Sequence, residues 1–247
     1  MNSRKRLMKS IRPAPHLKAT QILLEFRNIE DKVKAKILSR FFKTGKGEYG
    51  EGDKFLGITV PVIRKIANKY RSLSFEELSK LIKSPFHEVR LLALLIIIEK
   101  LDDGDGVKKK AFDFYFKNIK YINNWDLIDV TCRFIVGDYL FDRDRGILYD
   151  LAKSENLWER RIAIVSTYSF IRCGQYVDTL NISKILLFDK HDLIHKAVGW
   201  MLREVGKRDE RILIRFLQKY SKEMPRTMLR YAIERLNTSD KRKFMQR

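Results

Sequence analysis

Arg90-Leu91-Leu92-Ala93, Trp125-Asp126-Leu127-Ile128, Arg160-Arg161-Ile162-Ala163 and His195-Lys196-Ala197-Val198 begin at successive intervals of 35 residues. Each block opens a stretch whose apolar residues recur at helical spacing, and each interval leaves room for one more helix. A helix pair that recurs every 35 residues is the pattern of an α-solenoid, in which a repeat buries its apolar face by stacking on the next. Such arrays curve and offer an extended concave surface that can cradle a rod such as a DNA duplex.

The periodicity continues outward. Ile22, Leu23, Phe26 and Ile29 mark one amphipathic helix, and Val33, Ile37, Leu38 and Phe41 mark the next. Lys43 to Asp53, KTGKGEYGEGD, reads as a flexible loop with Tyr49 at a solvated tip, and Pro61 suits the first turn of the helix that follows. Ser74 and Glu77 have capping-box spacing. Helices are expected over 74–82, 86–101, 107–118, 123–136, 142–153, 156–172, 178–188, 192–206, 209–220 and 225–236. Strand-like alternation is absent. The expected fold is all-α, a curved solenoid with a basic concave groove. A basic tail over 1–16 (Arg4, Lys5, Arg6, Lys9, Arg12) precedes a single helical-repeat domain over 17–240.

Fifty-one Lys and Arg against thirty-one Asp and Glu give a formal charge of +20, which predicts a polyanionic partner. Nucleic acid comes first and an anionic membrane surface second. The longest apolar run, Leu91 to Ile98, is far short of the roughly 20 residues that a spanning helix needs. No apolar segment of secretory type follows the basic N-terminus. A soluble, cytoplasmic protein is expected, associated with the nucleoid if the source is prokaryotic. Cys132 and Cys173 form no CxxC, and neither they nor the histidines have zinc spacing, so no metal is expected.

The repeat supplies its own test for unusual residues. Leu94, Asp129, Ile164 and Gly199 occupy equivalent positions in the four blocks, and only one is charged. A carboxylate at a packing position either bridges neighbouring helices or is held for a function. Trp125 lies one helical turn before Asp129. The chain's three tryptophans, Trp125, Trp158 and Trp200, each fall in one of the last three blocks. Trp158 is read as core packing. Trp125 and Trp200, paired with polar residues on their own helix faces, point to a shared lining.

Arginine binds phosphate through charge and paired hydrogen bonds, and indole faces attract cations. A purine alkylated at N3 or N7 is cationic, and its charge already weakens the glycosidic bond. Excision then needs an anion to stabilise the oxocarbenium-like sugar, and a placed water to trap it. One carboxylate, two indoles and arginine clamps suffice for that reaction and not for release of a neutral base. Other chemistries lack their residues. There is no phosphate-binding GxxxxGK[ST] and no GxSxG elbow. His191 and His195 in HDLIH lack the glutamate of a zincin, and the acidic LDDGDG stretch lacks calcium-loop spacing and reads as a turn.

Four motifs stand in order at compatible spacing: Phe55-Leu56-Gly57-Ile58 with Pro61 and Arg64; Trp125-Asp126-Leu127-Ile128-Asp129; Trp158-Glu159-Arg160-Arg161; and Lys196-Ala197-Val198-Gly199-Trp200-Met201-Leu202-Arg203-Glu204. Through them the sequence, from about Ile22 to Leu236, resembles the AlkD-type alkylpurine DNA glycosylases, built from HEAT-like repeats. The resemblance implies Asp129 as the catalytic carboxylate, Trp125 and Trp200 as aromatic walls beside the lesion, and Arg161 as the arginine completing the site at the DNA backbone. Arg64 and Arg203 would contact phosphates. It further implies removal of N3-alkyladenine and N7-alkylguanine from duplex DNA, leaving an abasic site, with no metal or cofactor. A monomer is expected, since the groove must stay open. Two other classes compete: a non-catalytic solenoid that binds DNA or RNA structures by charge, and a protein scaffold.

Overall fold

The structure is a computed structural model that describes residues 18–246; the expected basic tail lies outside them. Among the described residues the chain forms helices α1 (Ala19–Asn28), α2 (Lys32–Phe41), α3 (Val60–Lys69), α4 (Phe75–Leu81), α5 (His87–Glu99), α6 (Asp105–Lys117), α7 (Trp125–Asp129), α8 (Gly146–Ala152), α9 (Leu157–Ser166), α10 (Tyr168–Arg172), α11 (Val177–Ile185), α12 (Asp192–Gly206), α13 (Glu210–Tyr220), α14 (Arg226–Ala232) and α15 (Thr238–Met245). No β-strand forms among them.

Helices pair locally, α4 with α5, α8 with α9 and α11 with α12. The second helix of each pair then stacks on the next along the chain: α5 on α7, α7 on α9, α9 on α12 and α12 on α14. That stacked line is the α-solenoid which the 35-residue period demands. Burial follows from it. Every residue of α5 from His87 to Ile97 is buried, because α3, α4 and α7 cover it from several sides. No helix is long and apolar enough to cross a membrane among the described residues.

Local chemistry sets several helix starts. The Ser74 hydroxyl accepts from the Glu77 N–H at 3.3 Å. The Glu77 carboxylate does not return to close a capping box. It accepts from the Ala19 N–H at 2.7 Å and so ties α4 to the start of α1. Pro61 sits in the first turn of α3.

Two helices expected as single rods are broken. The segment expected over 123–136 is a five-residue α7 followed by a π-helical turn, Arg133–Gly137. Thr131 turns its hydroxyl back onto the Leu127 carbonyl, a bond that bends helices. The Ser169 hydroxyl takes the Arg133 carbonyl at 2.8 Å, and Gly137 lies so close to Ser166 that a Cβ would sit 2.4 Å from its carbonyl oxygen. The segment expected over 156–172 divides at Thr167, whose hydroxyl bonds the Ile164 carbonyl at 2.7 Å. Periodicity alone carries no trace of either break.

Leu94 and Ile164 are fully buried, and Gly199 lies where α12 packs closely against α14. A Cβ on Gly199 would lie 2.5 Å from the Met228 carbonyl oxygen and from the Tyr231 Cβ. Gly199→Ala gains helix propensity of about 1 kcal/mol yet overpacks a rigid contact at a cost of about 1–3 kcal/mol. A net loss of stability is expected, read as a lower denaturant midpoint; a raised midpoint would show that α14 yields.

Candidate active site

Asp129 ends α7 and meets Arg161 on α9. The Arg161 Nε–H donates to Oδ1 at 2.8 Å and Nη2–H donates to Oδ2 at 2.7 Å, a bidentate pair joining two consecutive repeats. A third donor, Nη1–H, reaches the Leu193 carbonyl at 2.5 Å. Arg161 is buried, with a side chain only 6% exposed, whereas the Asp129 side chain keeps 15% of its surface open. The guanidinium expected at the DNA backbone thus faces Asp129 and the start of α12.

The open side of Asp129 looks into a cleft of about 270 Å³ lined by Arg64, Val130, Arg133, Phe134, Val165, Tyr168 and Trp200. Its charged side chains are two cations and one carboxylate. Trp200 and Tyr168 stand with ring centres 6.3 Å apart. The Arg133 guanidinium lies 4.0 Å from the Phe134 ring centre and 5.3 Å from that of Tyr168. Arg64 is exposed on α3. Burial pushes the Asp129 carboxyl above its ordinary pKa; the Arg161 charge and hydrogen bonds pull the other way without cancelling it. An anion so poorly solvated gains more from a cation forming beside it than an exposed one would.

The other sequence-derived residues fall elsewhere. Trp125 does not line this cleft; its half-buried indole stacks on Phe42 at 5.1 Å and meets the edge of the exposed Phe41 at 5.9 Å. Arg203 pairs with Glu234, and lies 3.9 Å from Glu204. Trp158 is half-buried against the core, and Tyr49 packs edge-on against it at 6.1 Å instead of standing at a solvated tip. The loop is also more tied than its glycines suggest, since Glu48 and Glu51 accept from the Gly45 and Gly47 N–H groups at 2.8 Å. His191 caps α12 by accepting from the Leu193 N–H, and His195 meets the Asp189 carbonyl. Asp103 and Asp105 of the acidic stretch pair with Arg71 and Arg143.

Arg133 and Tyr168, missed in the sequence, carry a signal there. Val130, Val165 and Trp200 are 35 residues apart in turn, and so are Arg133 and Tyr168. The cleft is therefore lined by two recurring register positions on the stacked helices.

A second, buried polar cluster adjoins α7. His87, at the start of α5, meets Asp53 Oδ2 through Nδ1 at 3.1 Å and Asp126 Oδ2 through Nε2 at 2.8 Å. Two carboxylates on one ring require both nitrogens to donate, so the ring is an imidazolium. Arg90 donates to Asp53 at 2.6 Å and to the Asn123 side chain at 3.0 Å. Phe55 stacks on the imidazolium at 4.7 Å. The neighbouring Glu88 accepts from the N–H groups of Leu56, Gly57 and Ile58 and fixes the loop that leads into α3 and Arg64.

A family model described as DNA alkylation repair enzyme matches residues 22–236. The chain belongs to the DNA alkylation repair enzyme family. Among solved structures, the "Predicted DNA alkylation repair enzyme from Enterococcus faecalis" is similar in fold, with a TM-score of 0.67 and 16% sequence identity. The match covers 85% of this chain and 97% of that one. No curated protein matches the sequence.

Burial alone would depress the His87 pKa; the hydrogen bonds to Asp126 and Asp53 outweigh it and raise it from 6.5 to about 9. The folded pKa lies above the unfolded one, so this group's stabilisation is complete below pH 6.5 and is lost as pH rises through about 9. The loss should approach about 3 kcal/mol. Denaturant unfolding of wild type and His87→Gln across this window checks it: the wild type should fall towards the variant, and a constant difference would contradict the imidazolium.

Proposed function

We propose that the protein is a DNA glycosylase that hydrolyses the N-glycosidic bond of cationic alkylated purines, N3-alkyladenine and N7-alkylguanine, in duplex DNA. The observation that carries this reading is the Asp129 carboxylate, held by Arg161 at the edge of a cleft with an indole, a phenol and two cations.

Each Asp129 oxygen accepts one bond from Arg161 and keeps a lone pair for another partner. As the glycosidic bond of a cationic lesion breaks, positive charge moves from the base to the sugar. The carboxylate stabilises that charge, orients a water to attack the anomeric carbon and takes the proton that the water loses. The base leaves neutral, so no acid need protonate it. Trp200 offers a π-face to the cation. In this reading Arg64 and Arg133, which line the cleft, meet backbone phosphates, and the chain's +20 charge supports a duplex partner. Arg161 acts in this scheme by fixing the carboxylate, and Trp125 by packing the helix that carries it.

Asp129→Asn is close in size and keeps one acceptor oxygen for Arg161 while removing the anion, so the variant is compared once circular dichroism shows it folded. It should bind duplex DNA with the same fall of affinity in salt as wild type, while release of N7-methylguanine drops by about 100-fold or more. Equal release by the two proteins would remove Asp129 from the chemistry. Binding without release by either would favour the charge-driven, non-catalytic solenoid.

A further inference from the structure

The shortness of α7 raises a question that the Asp129–Arg161 pair does not answer. Five residues, Trp125 to Asp129, form a helix with little stiffness of its own, and the chain leaves it through a turn into the π-helical segment. Its direction must be set by what its side chains hold. Asp129, at its C-terminal end, is held by Arg161. The N-terminal end is held by the buried cluster. Asp126 accepts from His87, Asn124 donates to Asp53 at 3.3 Å, and Asn123 accepts from Arg90.

We propose that the Asp53–His87–Asp126 bridge is a positioning device that aims Asp129 into its cleft. This rests on the reading of Asp129 given above. Asp126 and Asp129 lie three apart, so a shift at one end of so short a helix moves the other. The groups facing the imidazolium are Asp53 from the loop after α2, Arg90 from α5, Asp126 from α7 and the rings of Phe42 and Phe55. Two carboxylic side chains, Asp53 and Asp126, are thus buried with two basic ones, His87 and Arg90, a matched set of opposite charge types. One helix start therefore fixes both flanks of the cleft: His87 and Arg90 set α7 with Asp129, while Glu88 sets the loop ahead of α3 with Arg64.

A purely structural cluster would matter for folding and leave the reaction's dependence on Asp129 unchanged, which the test exploits. Asp126→Asn keeps an acceptor for His87 and leaves the Asp53–His87 bond in place, so it is gentler than His87→Gln. In a folded Asp126→Asn protein, single-turnover release of N7-methylguanine should fall about 10- to 100-fold, the penalty of an ångström-scale misplacement. Affinity for undamaged duplex should be unchanged. In an Asp129→Asn background the same change should cost nothing further.

A second readout needs no excision. The Arg161 Nε–H, shielded in its bond to Asp129, should exchange with solvent about tenfold faster in Asp126→Asn and in His87→Gln. Wild-type release and exchange in the variants would overturn the proposal, and so would an equal loss in the Asp129→Asn background. If wild type releases no base, the glycosylase reading fails, and Arg161 exchange alone decides the positioning role: faster exchange supports it and unchanged exchange overturns it.

Discussion

The bidentate bond between Arg161 and Asp129 is the constraint around which this molecule is arranged. A carboxylate at a packing position of a helical repeat costs several kcal/mol unless a partner is buried with it. Arg161 supplies that partner from the next repeat and spends a third donor on the Leu193 carbonyl of the repeat after that. One side chain thereby registers three successive helices, α7, α9 and α12. Any sliding of these helices would break a buried ion pair, so the pair fixes the stack and the stack fixes the cleft. The same bond leaves one side of the carboxylate open, so the structural role of Asp129 and the chemical role proposed for it are two faces of one arrangement.

Stacking explains why the cleft is made as it is. Side chains that recur at the repeat interval fall side by side when second helices pack in line. Val130, Val165 and Trp200 form one row, and Arg133 and Tyr168 another. The π-helical turn behind Asp129 begins at Arg133, and its first two residues, Arg133 and Phe134, line the cleft. A buried ion cluster on one flank and a tight glycine contact between α12 and α14 on the other give the array little freedom to shift.

Much of this was legible in the sequence because periodicity records burial. The 35-residue interval marked the stacked helices, and Asp129 stood out as the charged member of an apolar register. The breaks after α7 and α9 left no mark in the periodicity, since they go with Thr131 and Thr167 hydroxyls turned back onto carbonyls of their own helices, and with Ser169 and Gly137 meeting carbonyls of another element. Nor did the His87 cluster. Its members lie 34 and 39 residues apart, and each alone is an ordinary helix-start or loop residue. The resemblance implies Arg161 at the DNA backbone and Arg203 at a phosphate, and a single sequence does not reveal that Asp129 and Glu234 stand opposite them. Periodicity reports what is buried, and charge reports what class of partner is attracted. Which charges are already matched emerges only in three dimensions.

Under the proposed function, one buried carboxylate suffices because the substrate brings its own positive charge. The most direct measurement is single-turnover base release from duplexes that carry either N7-methylguanine, a cationic base, or hypoxanthine, a neutral one. Free N7-methylguanine and an abasic site are expected from the first and no release from the second. Comparable release of both bases would contradict it, because Asp129 would then need an acid partner that this cleft does not provide.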